Sequence, residues 1–158
     1  DNYKVLPGSN SNEVIVASMG ESQTFSGVQS IFAAGTPGDD VITIDKAVAL
    51  PVTLEGGDGR DRLTAGGGPS TLRGGAGDDV LTGGLLDDLM YGDGDNDLLT
   101  GGDGDDTIWG GTGTDTLPGG GGRDEMHGEG DADRLLGDGY RLAVRRWRER
   151  HPRRRPGQ

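Results

Sequence analysis

The 158-residue chain is predicted to be an all-β solenoid, and three observations carry that expectation. Residues 56–136 divide into nine consecutive nine-residue units without an insertion or deletion, from GGDGRDRLT (56–64) to GEGDADRLL (128–136). The eighth place of each unit is aliphatic: Leu63, Leu72, Leu81, Met90, Leu99, Ile108, Leu117, Met126 and Leu135. The sixth place is aspartate in every unit but one: Asp61, Asp79, Asp88, Asp97, Asp106, Asp115, Asp124 and Asp133, with Ser70 the exception. A short fixed period with one recurring apolar column suits a stack of coils, because each coil covers its neighbour's apolar face.

Within a unit, the last three residues are predicted strand, with position eight facing inward between two sheets. The first six form a turn. Glycines at positions one, two and four admit positive φ without a Cβ penalty and let carbonyls crowd inward. Such a turn aims several C=O groups at one point, short of donors, and the aspartate adds charge beside them. A hard cation satisfies that arrangement. Calcium takes roughly six to eight oxygens at about 2.3–2.6 Å with tolerant geometry. Zinc would call for histidine or cysteine, and the chain has only His127, His151 and no cysteine.

Composition excludes several classes. Glycine supplies 33 residues and hydrophobics only 30%, too little for an ordinary core, so order must come from a repeat or a ligand. The glycines do not recur at every third place, which excludes collagen. Net charge is −12 but uneven: residues 1–140 hold 26 acids against 7 bases, and residues 141–158 hold 8 arginines against one glutamate. The acidic body repels nucleic acid and anionic membranes and attracts cations. Without cysteine there is no disulfide framework or thiolate site, and no apolar run is long enough to cross a bilayer. No signal peptide is visible and the chain opens on Asp1, which predicts a fragment or a processed product.

Residues 56–136 resemble the haemolysin-type (RTX) calcium-binding nonapeptide repeats, with their pattern GGxGxDxUx. The likeness extends more loosely to 35–43, GTPGDDVIT. It implies a right-handed parallel β-roll with two nonapeptides per coil, so that turns on one side lie 18 residues apart. Each ion would sit between two such turns. It would take carbonyls of positions two and four (Gly57, Gly59, Gly75, Gly77, Gly102, Gly104, Gly111, Gly113) with the sixth-place aspartate. From the next turn it would take that turn's aspartate and carbonyls of positions one and three. These are Gly74, Ala76, Gly92, Gly94, Gly101, Asp103, Gly110, Thr112, Gly119, Gly121, Gly128 and Gly130. One row then pairs Asp61 with Asp79, Asp79 with Asp97, Asp97 with Asp115, and Asp115 with Asp133. The other pairs Asp88 with Asp106 and Asp106 with Asp124, making about six candidate Ca2+ sites. Departures mark weak points. Ser70 removes the acid that would pair with Asp88. Leu86 stands where the turn wants glycine, which puts the Asp88–Asp106 site in doubt. Asp95 and Asp131 fall at position four and either add a carboxylate or face water.

The chain is thus expected to comprise an N-terminal β extension or cap (1–55), the calcium-binding roll (56–139) and an arginine-rich tail (140–158). Strand-like patches in the cap are 14–16, 30–32, 41–44 and 52–54. Asp40 is separated from the repeat by an apparent twelve-residue insertion (44–55), and a calcium role for it is weakly supported. The tail is expected to be disordered, or helical over 140–150 before Pro152. An anionic-surface anchor and docking onto the acidic roll are its functional readings; it does not resemble the C-terminal signal of family members exported by type I secretion.

Rival motifs fail. Asp93-Gly94-Asp95-Asn96-Asp97 opens like an EF-hand, but Leu98 and Gly104 occupy the places of its glycine and its glutamate. No GxxxxGK exists, and these glycines sit among carboxylates. Paired acids such as Asp105-Asp106 lack an apolar cleft for glycosidase work. No HExxH, GxSxG or Cys/His pair marks an enzyme. Tyr91, Trp109 and His127 share the outward ninth column, which suits sheet-surface packing better than a sugar platform. The function expected is a secreted or cell-surface calcium-binding module that folds on Ca2+. The alternatives are a calcium-rigidified adhesion module and an auxiliary region of a secreted hydrolase.

Overall fold

In the computed structural model, residues 2–9, 13–18, 21–137 and 145–146 are described. β1 (Asn2–Pro7), β2 (Glu13–Ser18) and β3 (Glu21–Ser26) form an antiparallel meander. From β4 (Ile31–Ala34) the chain coils between two facing sheets through β5 (Val41–Ile44), β6 (Val52–Asp58), β7 (Arg62–Thr64) and β8 (Ser70–Ala76). It continues through β9 (Val80–Thr82), β10 (Leu89–Gly94), β11 (Leu98–Thr100), the turn strand β12 (Gly102–Asp103) and β13 (Thr107–Thr112). β14 (Thr116–Pro118), the turn strand β15 (Gly120–Gly121), β16 (Glu125–Glu129), β17 (Arg134–Leu136) and β18 (Arg145–Arg146) complete it.

One sheet runs β17-β14-β11-β9-β7-β5-β1-β2-β3 and the other β18-β16-β13-β10-β8-β6-β4, parallel from β4 onward. This is the parallel β-roll. Register follows the 18-residue coil: Leu63 pairs with Leu81 and Leu81 with Leu99, while Leu72 pairs with Met90 and Met90 with Ile108. The eighth-place side chains from Leu63 to Met126 are fully buried, and Leu135, in the last coil, is half-buried. Among the described residues no helix is long and apolar enough to cross a membrane.

Three details depart from expectation. Strands β4 to β16 of the seven-stranded sheet are longer than three residues: β8 runs on through Gly74, Gly75 and Ala76. The turn backbones themselves pair there, Gly57 with Gly75 and Asp58 with Ala76. The apparent insertion at 44–55 is the second half of a coil, in which a turn and β6 follow β5. That coil is 21 residues long, and its turn backbone stacks on 66–68, where Gly67 N–H donates to the Val48 carbonyl at 2.8 Å. At Arg145–Arg146 the backbone is strand and not helix, because it adds in parallel to the edge of β16. The other expectations for the tail lie outside the described residues.

β1 joins the nine-stranded sheet by parallel pairing with β5. Val5, Val14, Ile42, Ile44, Val48, Val52 and Leu54 extend the buried cluster to this end. In the repeat the core is one aliphatic wide on each wall, so a cavity there has little to collapse onto it. Leu99→Ala is expected to cost about 2–5 kcal/mol, read as a lower denaturant midpoint at saturating calcium with an unchanged calcium stoichiometry.

Candidate metal centre

The sixth-place aspartates line up along the two turn-bearing edges of the roll. In one row each backbone N–H donates to Oδ1 of the aspartate one coil on. The distances are 2.7 Å from Asp61 to Asp79, 2.8 Å from Asp79 to Asp97, 2.9 Å from Asp97 to Asp115 and 3.0 Å from Asp115 to Asp133. The second row repeats this from Asp88 to Asp106 at 2.9 Å and from Asp106 to Asp124 at 3.2 Å. Every pair marked by the 18-residue spacing is thus brought together. Each backbone also ties in through its carbonyl, as when Val80 N–H donates to the Asp61 carbonyl at 2.8 Å.

The turns owe their shape to positions two and four. Gly57, Gly59, Gly75, Gly77, Gly102, Gly104, Gly111 and Gly113 all have positive φ. In turns 92–97 and 128–133 acids stand at those positions, and the backbone still goes left-handed, at Asp93 (φ 77), Asp95 (φ 71), Glu129 (φ 68) and Asp131 (φ 45). Aspartate tolerates this region better than most residues, so the turn survives the substitution. In the aspartate-bearing turns position one is closed to a side chain. A Cβ on Gly74 would collide with Asp79 Oδ2 and sit 2.9 Å from the Gly92 carbonyl oxygen; Gly92 and Gly101 are hemmed in alike, by Asp97 Oδ2 with the Gly110 carbonyl and by Asp106 Oδ2 with the Gly119 carbonyl. Gly110, Gly119 and Gly128 abut Oδ2 of Asp115, Asp124 and Asp133. The third-place residues Ala76, Asp103, Thr112 and Gly121 are exposed at the turn tips, and Gly94 and Gly130 half-exposed.

These carboxylates are buried with only one of their two oxygens compensated. Asp61, Asp79, Asp97, Asp106 and Asp115 are at most 3% exposed, and Oδ2 of each has no hydrogen-bond partner. Burial pushes their carboxyls up, to about 6 for Asp79 and Asp115 and to about 7 for Asp97 and Asp106. Burial raises Asp61 and Asp88 as well. Such groups are costly unless paired. The nearby arginines do not pair with them: Arg60 and Arg73 bind the exposed Asp39 and Asp93 at 3.2 and 2.9 Å. Among the described residues no three acidic or histidine side chains converge as a metal-binding group. Each interval instead offers two carboxylates and turn carbonyls, an all-oxygen set that suits a hard cation.

A family model for the RTX calcium-binding nonapeptide repeat (4 copies) matches residues 55–90, 82–117 and 113–139. The chain belongs to the RTX calcium-binding nonapeptide repeat family. No curated protein and no solved structure matches it. RTX repeats bind Ca2+, and the unpartnered oxygens of this roll fit that ion.

Three features of this RTX roll escaped the sequence. Position five forms an outer ladder, in which Asn96 N–H donates to Asp78 Oδ1 at 2.9 Å and Asp105 N–H to Asp87 Oδ1 at 2.8 Å. The signal was there, in the acids and amides recurring at that place. Asp40 joins the first row across the longer coil, its N–H donating to Asp61 Oδ1 at 2.7 Å. Its Oδ2 accepts the Thr36 N–H at 2.7 Å. In turn 83–88 the Gly84 N–H likewise donates to Asp88 Oδ2, at 2.6 Å.

The ninth-place aromatics form a stack. Tyr91 and Trp109 lie 4.9 Å apart at 9°, and Trp109 and His127 lie 5.2 Å apart at 8°. The Arg73 guanidinium covers the far face of Tyr91 at 4.8 Å. Both faces of Tyr91 and of Trp109 are therefore covered, which is packing geometry; a sugar platform needs open faces.

Proposed function

We propose that this chain is a structural module of an exported RTX-type protein, in which calcium bound between successive coils drives folding. The five buried aspartate oxygens without partners carry this reading. The Asp61-to-Asp133 row and the Asp106–Asp124 pair would hold the ions, together with carbonyls of their turns. When bound, calcium supplies the positive charge that offsets adjacent carboxylates and ties one coil to the next. The protein's own groups do the positioning: the N–H-to-Oδ1 bonds set the spacing of carboxylates, and the left-handed turns keep side chains out of the interval. Eighteen acids against five bases in 56–136 make self-repulsion large until cations arrive. Extracellular calcium modules work at about 10⁻⁴–10⁻³ M, so a chain that folds only there suits export before folding.

Calorimetric calcium titration, with far-UV circular dichroism in parallel, tests the proposal. Asp97 serves two intervals and Asp133 one. Asp97→Asn is therefore expected to raise the calcium concentration at the folding midpoint more than Asp133→Asn does. Equal, negligible effects of both variants, or calcium binding without any gain of structure, would sink the proposal.

A further inference from the structure

We infer that turn 83–88 is closed upon itself and carries no calcium, so that the ions occupy five intervals and the second row is broken. This rests on the calcium reading above and concerns which turns can take the ion. The five aspartates whose Oδ2 is buried and unpartnered are Asp61, Asp79, Asp97, Asp106 and Asp115. Each is the earlier member of one interval: Asp61–Asp79, Asp79–Asp97, Asp97–Asp115, Asp115–Asp133 and Asp106–Asp124. Asp88 would be the earlier member of a sixth, Asp88–Asp106, yet both of its oxygens already accept hydrogen bonds.

Three donors reach Asp88. Gly84 N–H donates to Oδ2 at 2.6 Å, while Ser70 N–H and Ser70 Oγ–H donate to Oδ1 at 2.7 and 2.6 Å. An N–H aimed at the carboxylate oxygen puts partial positive charge where a cation would need a ligand. The cause lies in the sequence of the turn. Elsewhere in the repeat, the turns holding the unpartnered oxygens have positive φ at positions two and four; in 83–88 neither Gly84 nor Leu86 does. A leucine pays heavily for that conformation, so with Leu86 at position four the turn adopts another course and Gly84 caps its own aspartate. The space itself is unchanged: a Cβ on Gly83 would still collide with Asp88 Oδ2 and the Gly101 carbonyl. What differs is that the oxygen is already taken. Ser70, one coil earlier, completes the substitution by placing a hydroxyl donor where the first row places a carboxylate. Thr36 N–H caps Asp40 in the same manner, at 2.7 Å, at the N-terminal end of the first row.

The consequence is an asymmetric roll. One edge is cross-linked by calcium from Asp61 to Asp133, and the other only at its C-terminal end, with a hydrogen-bonded, ion-free step at Ser70–Asp88–Gly84.

Native mass spectrometry of the calcium-saturated protein, with calorimetric stoichiometry, tests this by counting ions. The expected count is five for the wild-type chain, five for Asp88→Asn, four for Asp106→Asn and six for Leu86→Gly, which frees the turn to go left-handed. Six ions in the wild-type chain, or a loss of two on Asp106→Asn, would overturn the inference while leaving the calcium reading intact. No bound calcium at all would overturn both. Should Asp88→Asn fail to fold, the Asp106→Asn and Leu86→Gly counts decide the matter by themselves.

Discussion

In calcium-free buffer at neutral pH, residues 56–136 are expected to lose their β structure, and calcium is expected to restore it. The reason is the thinness of what remains without the ion. Each coil of the repeat buries one aliphatic per wall, whereas ordering the chain costs about 1–2 kcal/mol of backbone entropy per residue. Glycine, so frequent here, loses the most conformational freedom. Against this stand five carboxylate oxygens buried without partners. An ion that binds the folded and not the unfolded chain stabilises by about 2.7 kcal/mol per site at a hundredfold excess over Kd, and several sites in a row compound this. Because the coils contact only their neighbours, structure should appear cooperatively as the intervals fill. Far-UV circular dichroism and amide exchange, followed through chelation and calcium re-addition, read the effect. A spectrum indifferent to chelator at neutral pH would rule out the coupling of binding to folding.

The periodic part of this molecule was open to view in the sequence because a solenoid writes its register as a repeat. Column eight identified the fully buried core positions from Leu63 to Met126, and the 18-residue spacing identified which aspartates meet. Both follow from translation along one axis, which sequence spacing records directly. What escaped was anything set by the orientation of a single peptide or ring. Leu86 at position four warned of trouble in turn 83–88, but that the turn would solve it by lending Gly84 N–H to Asp88 depends on a backbone course that no column shows. Asp40 looked detached because a longer coil breaks the nine-residue phase, although a parallel ladder tolerates extra residues in a turn while the strands β5 and β7 stay in register. The column of Tyr91, Trp109 and His127 was visible as a column, whereas the near-parallel ring planes that make it a stack were not. The extension of β8 and its neighbours into the glycine turns also lay beyond strand propensity, since glycine is a poor strand former and pairs there only because identical turns lie directly above one another.

Acidification should act on the calcium-free and the calcium-bound protein in opposite directions. In the folded chain without calcium, burial holds Asp79 and Asp115 at about 6 and Asp97 and Asp106 at about 7, from an ordinary value of 3.8. An unfolded chain releases these protons near the ordinary value, so between roughly pH 4 and 7 the folded state binds more protons than the unfolded one. Stability without calcium then falls as pH rises through that window, and is greatest below it. Calcium reverses the preference, since it needs the ionised carboxylates and competes with protons for them. Metal-free protein prepared by chelation and dialysis is therefore expected to gain β structure when taken from neutral pH to about pH 5. Over the same interval the calcium concentration needed to fold the chain should rise, because Asp97 and Asp106 must give up protons before they can serve as ligands. Circular dichroism across a matrix of pH and calcium concentration separates the two slopes. A metal-free protein that is most structured at neutral pH would show that the buried aspartates are not what holds the empty roll open.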